Sequence, residues 1–421
     1  MTIPFGSRPA HTAASAPADA RPRIDQTGFA IHIPPMPKHM IILGSTGSIG
    51  ESALDVAAHL GADYRVVGLA ACRSWERMAE QIDTFRPLAV AMTDPDAAER
   101  LSARLAETRS PCRVIAGPDA MRHLVEELDA NFVLSAVVGV AGLDSTLAAV
   151  RRGLTVGLAN KESLVVAGRL MVDAAADSGA RLIPVDSEHS AIYQSLHSGR
   201  HEEIERILLT ASGGPFRTWT FEAMRKATLE NALKHPTWDM GPKITIDSAT
   251  MMNKALEIIE ARWLFDISSE RIEVVIHPES IIHSMVAFHD GSIVAQMGTP
   301  DMRTPIQYAM TYPHRIARAG DRLDFSKLER MHFEPPDVER FPALRLGHEV
   351  ARIGGTAGAA FNAANEAAVD MFRAGKIGFL EISSRVEDVL RRHEYEESPD
   401  LATLMKVDAW SRNEVNTCCK V

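Results

Sequence analysis

Two patterns of apolar residues follow one another along the chain. Between residue 40 and about residue 185, short apolar runs rich in β-branched residues alternate with segments of helical periodicity. This alternation is typical of a doubly wound parallel sheet with helices on both faces. Strands are predicted at 39–44, 65–71, 88–92, 113–116, 132–135, 155–158 and 181–185. The clearest helices are predicted at 48–60, 74–85 and 142–152.

After residue 187 fewer helical segments separate the strands, which are predicted at 206–210, 244–247, 272–277, 284–288 and 292–297. A connector rich in proline and charge follows at 312–341. Helices are predicted in the remainder, at 343–354, 359–374, 380–391 and 401–413. The chain is therefore expected to be an α/β protein with three domains. They are a Rossmann-like nucleotide-binding domain at 39–186, a central α+β catalytic domain at 187–311 and a C-terminal helical bundle at 342–421.

Composition narrows the classes of protein that fit. The 421 residues carry a formal net charge of −10. An acidic chain is a poor partner for nucleic acid or for an anionic membrane surface. The sequence has no run of about 18 apolar residues that would predict a membrane span. Its four cysteines show neither CxxC spacing nor a secreted disulfide framework, so a reducing cytoplasm is expected.

Residues 1–38 are rich in Ala, Pro and Arg and lack hydrophobic periodicity. Without an apolar h-region this segment does not fit a secretory signal. We expect a disordered extension. An organelle transit peptide is the less favoured alternative, because Asp19 and Asp25 are acidic and the segment is short. A translation start at Met36 or Met40 is another simple alternative.

A glycine-rich turn follows the first predicted strand. The stretch 44–50 reads Gly-Ser-Thr-Gly-Ser-Ile-Gly and leads into a predicted helix. Gly44 permits the tight turn, Gly47 lets backbone amides approach a pyrophosphate, and Gly50 permits close packing of helix and strand. The helix N-terminus then offers N–H groups to the anion. The alternative is a βα turn without a ligand, which the repeated strand–helix units disfavour.

The end of the second predicted strand bears on the choice of cofactor. A site for NAD places an acidic residue there, whereas this chain has Cys72, Arg73 and Ser74. A guanidinium pairs well with a 2′-phosphate, so NADP is favoured over NAD. The alternative is an arginine that is only solvated at the tip of a loop.

Acidic residues close the last predicted strand of the sheet. Asp186 and Glu188 are two positions apart and project to the same side of an extended segment. Two neighbouring carboxylates suit a hard divalent cation. An exposed helix N-terminus, where acidic residues complement the dipole, explains the spacing equally well.

A second cluster of polar residues follows at 248–257. Helical periodicity places Asn253 and Glu257 one turn apart, with Lys254 beside them and Ser248 before them. The set suggests a phosphate site and a third carboxylate for a metal. A capped amphipathic helix with an exposed Lys–Glu pair is the alternative.

Further candidates lie on loops and strand ends. The turn at 210–216 is rich in glycine and suits an anion. The long connection that holds His235 and Trp238 could close over a substrate as a lid, at about 212–242, or could be a surface loop without function. Lys161 follows the predicted strand at 155–158, on the edge where ligands bind in open α/β sheets. A lone lysine there is most often solvated.

Taken together, these segments resemble the 1-deoxy-D-xylulose 5-phosphate reductoisomerase family. The resemblance covers residue 39 to the end, and its motifs lie at 44–50, 159–162, 184–189, 212–216, 235–238, 247–254 with Glu257, and 361–366. It implies a homodimeric enzyme that uses NADPH and a divalent ion, Mg²⁺, Mn²⁺ or Co²⁺. The implied reaction rearranges 1-deoxy-D-xylulose 5-phosphate and reduces the product to 2-C-methyl-D-erythritol 4-phosphate, a precursor in non-mevalonate isoprenoid synthesis.

The resemblance also implies roles for individual residues. The metal ligands are Asp186, Glu188 and Glu257. The catalytic residues are Lys161, Glu188, His235 and Glu257. The substrate contacts are Lys161, Ser187, Glu188, Ser212, His235, Trp238, Ser248, Asn253, Lys254 and Glu257. The NADPH contacts are Thr46, Gly47, Ser48, Ile49, Cys72, Arg73, Ser74, Asn160, Glu162 and Gly241.

The sequence excludes one alternative enzyme class and leaves one other interpretation open. A dehydrogenase of the aspartate-semialdehyde type needs a cysteine nucleophile in its catalytic domain, and the sequence has none between Cys112 and Cys418. The remaining alternative is a catalytically silent NADPH-binding homologue.

The chain departs from the family pattern after the second predicted strand. The family often has Gly-Lys-Asn where this chain has Cys72, Arg73 and Ser74, which leaves the geometry of the Arg73 side chain open. His277, His283 and His289 are expected to be structural.

Overall fold

The computed structural model describes residues 38–238, 240–317 and 319–417. The extension predicted before residue 38 therefore lies outside the described residues. Within the described part of the chain, no helix is both long and apolar enough to cross a membrane.

The first sheet contains seven parallel strands. They are β1 (Lys38–Leu43), β2 (Tyr64–Ala71), β3 (Ala89–Met92), β4 (Arg113–Ala116), β5 (Phe132–Ser135), β6 (Thr155–Leu158) and β7 (Arg181–Pro184). Their spatial order is β4-β3-β2-β1-β5-β6-β7, so the direction of strand addition reverses between β1 and β5. This is the position at which ligands bind in open α/β sheets. The predicted fold class is confirmed.

Helices connect these strands. They are α1 (Ser48–Leu60), α2 (Trp75–Phe85), α3 (Pro95–Thr108), α4 (Ala120–Glu127), α5 (Leu143–Arg151) and α6 (Lys161–Ser178). Strand β1 is apolar at consecutive positions because both of its faces are covered. Ile41 and Leu43 belong to one hydrophobic core, and Met40 and Ile42 belong to the other.

The second sheet has the order β11-β10-β8-β9. Its strands are β8 (Ile204–Ala211), β9 (Ile272–Ile276), β10 (Ile282–Phe288) and β11 (Ile293–Met297). The helices of this region are α7 (Ser187–Leu196), α8 (Phe221–Met224), α9 (Leu229–Ala232), α10 (Pro242–Ala249), α11 (Met252–Leu264) and α12 (Arg303–Thr311). Ile306 and Met310 of α12 pack into a core of the first sheet.

The strand predicted at 244–247 is wrong, because these residues belong to α10. Pro242 occupies the first helical position, where its missing N–H costs nothing. Thr245, Ile246 and Ala249 are buried, while Lys243 pairs with Asp247 one turn later at 2.7 Å. Helical burial and this i,i+4 ion pair outweigh the β-propensity of the run.

The C-terminal region is helical, as predicted. It consists of α13 (Ala343–Ile353), α14 (Ala357–Arg373), α15 (Glu381–Arg392) and α16 (Leu401–Thr417). A Cβ atom on Gly358 would lie 1.9 Å from the carbonyl oxygen of Val165, so only glycine lets α14 approach α6 so closely. This contact supports the helix that begins at Lys161.

Candidate active site

Three helices bring the predicted polar side chains together. Lys161 is the first residue of α6, which follows β6 at the carboxyl edge of the first sheet. Asp186 is the N-cap of α7 after β7, and its side chain accepts a hydrogen bond from the N–H of Glu188. Lys254 and Glu257 lie on α11. The sheet edge and α11 therefore place residues almost a hundred positions apart within hydrogen-bond distance.

These side chains form what we call the carboxylate cluster: Lys161, Asp186, Glu188, Lys254 and Glu257. The ammonium group of Lys161 contacts Asp186 and lies 3.1 Å from Oε1 of Glu257. That of Lys254 contacts Glu257 and lies 3.3 Å from Oε1 of Glu188. Asp186 and Glu257 raise the pKa of Lys161 although burial opposes this, so Lys161 is a charged ammonium.

The carboxylate cluster fits a divalent cation. One oxygen from each of Asp186, Glu188 and Glu257 can be chosen so that all three lie within 4.8 Å of one another. With Glu260 there are four largely buried carboxylates, which share three cationic partners, Lys161, Lys254 and His189. Burial, opposed by Lys254, raises the pKa of Glu188 to about 7, and Glu257 adds to this rise. A hard cation bound to the oxygens of Asp186, Glu188 and Glu257 would favour the ionised form of Glu188 and offset the repulsion among the three carboxylates.

A buried pair next to the carboxylate cluster, His189 and Glu260, was not predicted from the sequence. His189 is fully buried, with Nδ1 3.6 Å from Oδ1 of Asp186 and Nε2 3.6 Å from Oε2 of Glu260. Burial lowers the pKa of His189, but Glu260 and Asp186 outweigh it and raise the pKa to about 9. His189 belongs to the motif at 184–189, whereas Glu260 lies beyond the segment 248–257, and nothing in the sequence places Glu260 beside His189.

The lid loop is held by His235. Its Nδ1 accepts hydrogen bonds from the N–H groups of Thr237 (3.2 Å) and Trp238 (2.9 Å). A nitrogen that accepts two hydrogen bonds carries no proton, so Nε2 bears the hydrogen and donates to Oγ of Ser212 at 3.0 Å. Burial lowers the pKa of His235 to about 4, which agrees with a neutral ring. The ring of Trp238 lies 6.4 Å from that of His283.

One cavity of about 820 Å³ contains most of the predicted residues. Those that line it are Ser48, Ile49, Lys161, Glu162, Asp186, Ser187, Glu188, Ser212, His235, Trp238, Gly241, Ser248, Asn253, Lys254 and Glu257. Those that do not are Thr46, Gly47, Cys72, Arg73, Ser74 and Asn160.

The glycine turn at 44–50 borders this cavity. Gly44 has φ +82°, and a Cβ atom on it would lie 2.6 Å from the carbonyl oxygen of Ala136. A Cβ atom on Gly50 would lie 2.3 Å from the carbonyl oxygen of Gly44. The turn is fastened through Ser45, whose Oγ donates to Oε1 of Gln81 at 2.7 Å. Gly44 and Gly50 are therefore required by close backbone contacts in the free protein.

Two predicted cofactor contacts have protein partners instead of facing the cavity. The Arg73 side chain is 83% exposed, and its Nε lies 3.2 Å from Oδ2 of Asp94. The side chain of Asn160 is buried, donates to the carbonyl oxygens of Val137 and Gly139, and accepts from the N–H of Ser163. Asn160 thus caps α6 at the N-terminus.

Lys243 also lines the cavity, but it is not among the residues predicted from the sequence. The sequence analysis predicted a strand at 244–247, in which Lys243 and Asp247 would not pair, because their pairing requires a helical spacing.

His277 is one of the three histidines expected to be structural. Its Nε2 accepts hydrogen bonds from the N–H groups of Ile281 and Ile282, and its Nδ1 lies 2.9 Å from the carbonyl oxygen of His332. His277 is thus held within the protein scaffold.

Residues 40–168 match the family model of 1-deoxy-D-xylulose 5-phosphate reductoisomerase, residues 182–265 match the C-terminal domain model of that enzyme, and residues 297–414 match a further DXP reductoisomerase C-terminal domain. The 1-deoxy-D-xylulose 5-phosphate reductoisomerase of Chlorobium chlorochromatii is 49% identical over 376 residues, which cover 89% of this chain and 98% of the relative.

Solved structures agree. The 1-deoxy-D-xylulose 5-phosphate reductoisomerase of Zymomonas mobilis in complex with NADPH is 44% identical with a TM-score of 0.85, covering 91% of this chain and all of that one. A DOX-P reductoisomerase in complex with NADPH, fosmidomycin and magnesium is 38% identical with a TM-score of 0.86, covering 91% of this chain and 98% of that one. The chain therefore belongs to the 1-deoxy-D-xylulose 5-phosphate reductoisomerase family.

Proposed function

We propose that this cavity binds NADPH, a divalent cation and 1-deoxy-D-xylulose 5-phosphate. The chain is an NADPH-dependent enzyme that rearranges this sugar phosphate and reduces it to 2-C-methyl-D-erythritol 4-phosphate. The observation that carries the proposal is the convergence of the carboxylate cluster, the lid loop and the glycine turn on one cavity. A silent homologue is disfavoured, because Asp186, Glu188, Glu257, His235 and Trp238 are all present.

Asp186, Glu188 and Glu257 are proposed to hold the cation, which would be Mg²⁺, Mn²⁺ or Co²⁺. When bound, such an ion acts as a Lewis acid on the carbonyl and hydroxyl oxygens of the substrate. Lys161 supports the same group of carboxylates, since its three N–H groups are donated to Asp186, to Glu257 and, at 2.9 Å, to Oδ1 of Asn253. A substrate oxygen would take the place of one of these acceptors. Ser187 lies beside Glu188, with its Oγ donating to Oε2 at 2.6 Å, and lines the cavity at the same place.

The phosphate of the substrate is assigned to Ser212, Ser248, Asn253 and Lys254. These residues line the cavity and offer it hydroxyl, amide and ammonium donors. His235 is a neutral Nε2–H donor, so its role is to orient an oxygen rather than to supply a proton. Closure of the lid loop brings the apolar face of Trp238 over the site and excludes water.

The cofactor is assigned to the glycine turn and its neighbours. Backbone N–H groups at Thr46, Ser48 and Ile49 suit a pyrophosphate at the N-terminus of α1. The N–H of Gly47 is donated to the carbonyl oxygen of Gly44 at 3.1 Å, so Gly47 is proposed as a contact because it has no side chain to obstruct the cofactor. Glu162 and Gly241 line the cavity, and Asn160 acts by capping α6. The residues at the end of β2, Cys72, Arg73 and Ser74, are proposed to contact the 2′-phosphate.

The domain boundaries, the oligomeric state and the cellular location are proposed on grounds other than the cavity. The domain boundaries at residues 186, 311 and 341 are kept as predicted. A homodimer follows from the resemblance to the family. A cytoplasmic location follows from the composition, and the bacterial relatives support it.

The function is tested by following NADPH oxidation by absorbance with 1-deoxy-D-xylulose 5-phosphate as substrate. Activity is expected with Mn²⁺ or Mg²⁺ and should disappear when a chelator is added. Fosmidomycin, which is bound in a related structure, should inhibit. Turnover that a chelator leaves unchanged would refute the metal assignment, and a lack of turnover with metal present would refute the substrate.

A further inference from the structure

Lys243 is a cavity-lining cation that belongs to none of the assigned groups. It is the second residue of α10, directly after the lid loop, and its side chain is 18% exposed. Its Nζ lies 3.1 Å from Oε1 of Glu162 and 2.7 Å from Oδ2 of Asp247. The ammonium group therefore bridges the first turn of α6, which follows the parallel sheet, to α10, which follows the lid.

The position of this ammonium group is fixed from behind. Asp247 is buried, and its second oxygen accepts a hydrogen bond from Nδ2 of Asn365 at 2.9 Å. The next residue of α14, Glu366, pairs with Arg412 of α16 at 2.6 Å. Because α14 anchors Asp247 on one side, Lys243 presents its remaining N–H groups in a constant direction towards Glu162.

Glu162 needs such a partner if it is to face a dinucleotide. Burial by itself raises the pKa of Glu162, but Lys243, a backbone hydrogen bond and Lys161 together outweigh burial, so the pKa lies below the ordinary value. An ionised carboxylate accepts hydrogen bonds from ribose hydroxyls or from the N–H of a carboxamide. The same charge would repel an anionic cofactor if no cation balanced it.

We propose that Lys243 is a positioning residue of the NADPH site and acts through Glu162. It fixes the direction of the carboxylate and balances its charge beside the anionic cofactor. Through the same bond it fastens the end of the lid loop, at Gly241, to the start of α6. The inference rests on the proposed function, because it takes Glu162 to be a cofactor contact.

The test is a double-mutant cycle on the full-length chain, read by NADPH fluorescence without metal or substrate. Lys243→Met and Glu162→Gln are each expected to weaken NADPH binding about tenfold. The double variant should bind within about twofold of the weaker single variant, since one interaction is lost only once. Lys243→Arg should restore most of the affinity. Lys226→Met, which removes an exposed lysine outside the cavity, is the matched control and should bind normally.

The possible outcomes separate this inference from the proposed function. Normal binding by Lys243→Met, or losses that multiply in the double variant, would overturn the action through Glu162. Normal NADPH binding by Glu162→Gln would instead show that Glu162 is not a cofactor contact. The inference about Lys243 would then be wrong as well. If Lys243→Met does not fold, Lys243→Gln takes its place with the same expected result. The KM for the sugar phosphate should change less than about twofold, whereas general damage to the fold would change it as well.

Discussion

The carboxylate cluster and the glycine turn line one cavity but differ in construction. The cluster combines side chains from α6, α7 and α11, and its members are mostly buried, with Glu257 only 1% exposed. The glycine turn is seven consecutive residues that act mainly through the backbone, and its neighbour Arg73 is 83% exposed. One region depends on long-range packing, whereas the other depends on local conformation.

This difference decides how each region responds to change. Removing one member of a buried group of charges leaves its partners uncompensated in a medium of low dielectric constant. Removing an exposed charge is moderated by water and salt. A backbone turn responds mainly to steric change. The two regions should therefore be separable by affinity for metal, affinity for NADPH, and dependence on salt.

The largest effect is expected for Glu257→Gln. Loss of one anionic ligand should weaken Mn²⁺ binding at least about tenfold and lower kcat/KM on the order of 10³-fold. The affinity for NADPH should stay within about twofold of the native value. Titration calorimetry with Mn²⁺ and fluorescence with NADPH measure the two affinities. Glu349→Gln, on the exposed surface of α13, is the control. An equal loss of both affinities would mean that α11 only supports the fold.

The glycine turn is tested by comparing Gly50→Ala with Gly47→Ala. A methyl group on Gly50 would lie 2.3 Å from the carbonyl oxygen of Gly44, so the turn must shift. We expect a lower melting temperature and NADPH binding weaker by about 100-fold. At Gly47 the nearest atom is at 3.4 Å, which is ordinary contact. Gly47→Ala should melt normally and still bind NADPH about tenfold more weakly, because the methyl group obstructs the pyrophosphate. Normal binding would place the cofactor away from Gly47.

The sequence predicted the first sheet well, because its inner strands are buried on both faces and appear as continuous apolar runs. It failed at α10, where β-branched residues at 244–246 suggested a strand and tertiary packing imposed a helix. Within the site, the local patterns of the carboxylate cluster left exposed or capped helices and a solvated Lys161 as alternatives, and the resemblance to the family selected these residues. Local patterns were not sufficient for Glu260 or Lys243, whose roles depend on partners from distant segments. Such pairings depend on how helices pack, which a local pattern does not encode.

A smaller effect is expected for Arg73→Ala. Loss of the guanidinium should raise the KM for NADPH roughly fivefold to tenfold at low salt and leave that for NADH unchanged. The difference from the native protein should shrink as salt is added, because Arg73 is exposed. Steady-state assays with both cofactors over a range of salt concentrations provide the measurement. Arg100→Ala, on the exposed surface of α3, is the control. An effect equal for NADPH and NADH would exclude recognition of the 2′-phosphate.

The smallest effect is expected from the titration of His235. Because burial lowers its folded pKa to about 4, below the ordinary 6.5, protonation favours the open or unfolded loop. The stabilisation that His235 gives the closed loop should therefore be complete above about pH 6.5 and decline as the pH falls towards 4. NMR of ¹⁵N-labelled histidine should show a neutral Nε2–H tautomer for His235, unchanged between about pH 9 and pH 6. The resonance is assigned with His235→Gln, which should lack both the signal and this pH dependence of the loop. A ring that takes up a proton near pH 6.5 would mean that the bonds from Thr237 and Trp238 do not hold Nδ1 as an acceptor, and the lid would then be open in the free enzyme.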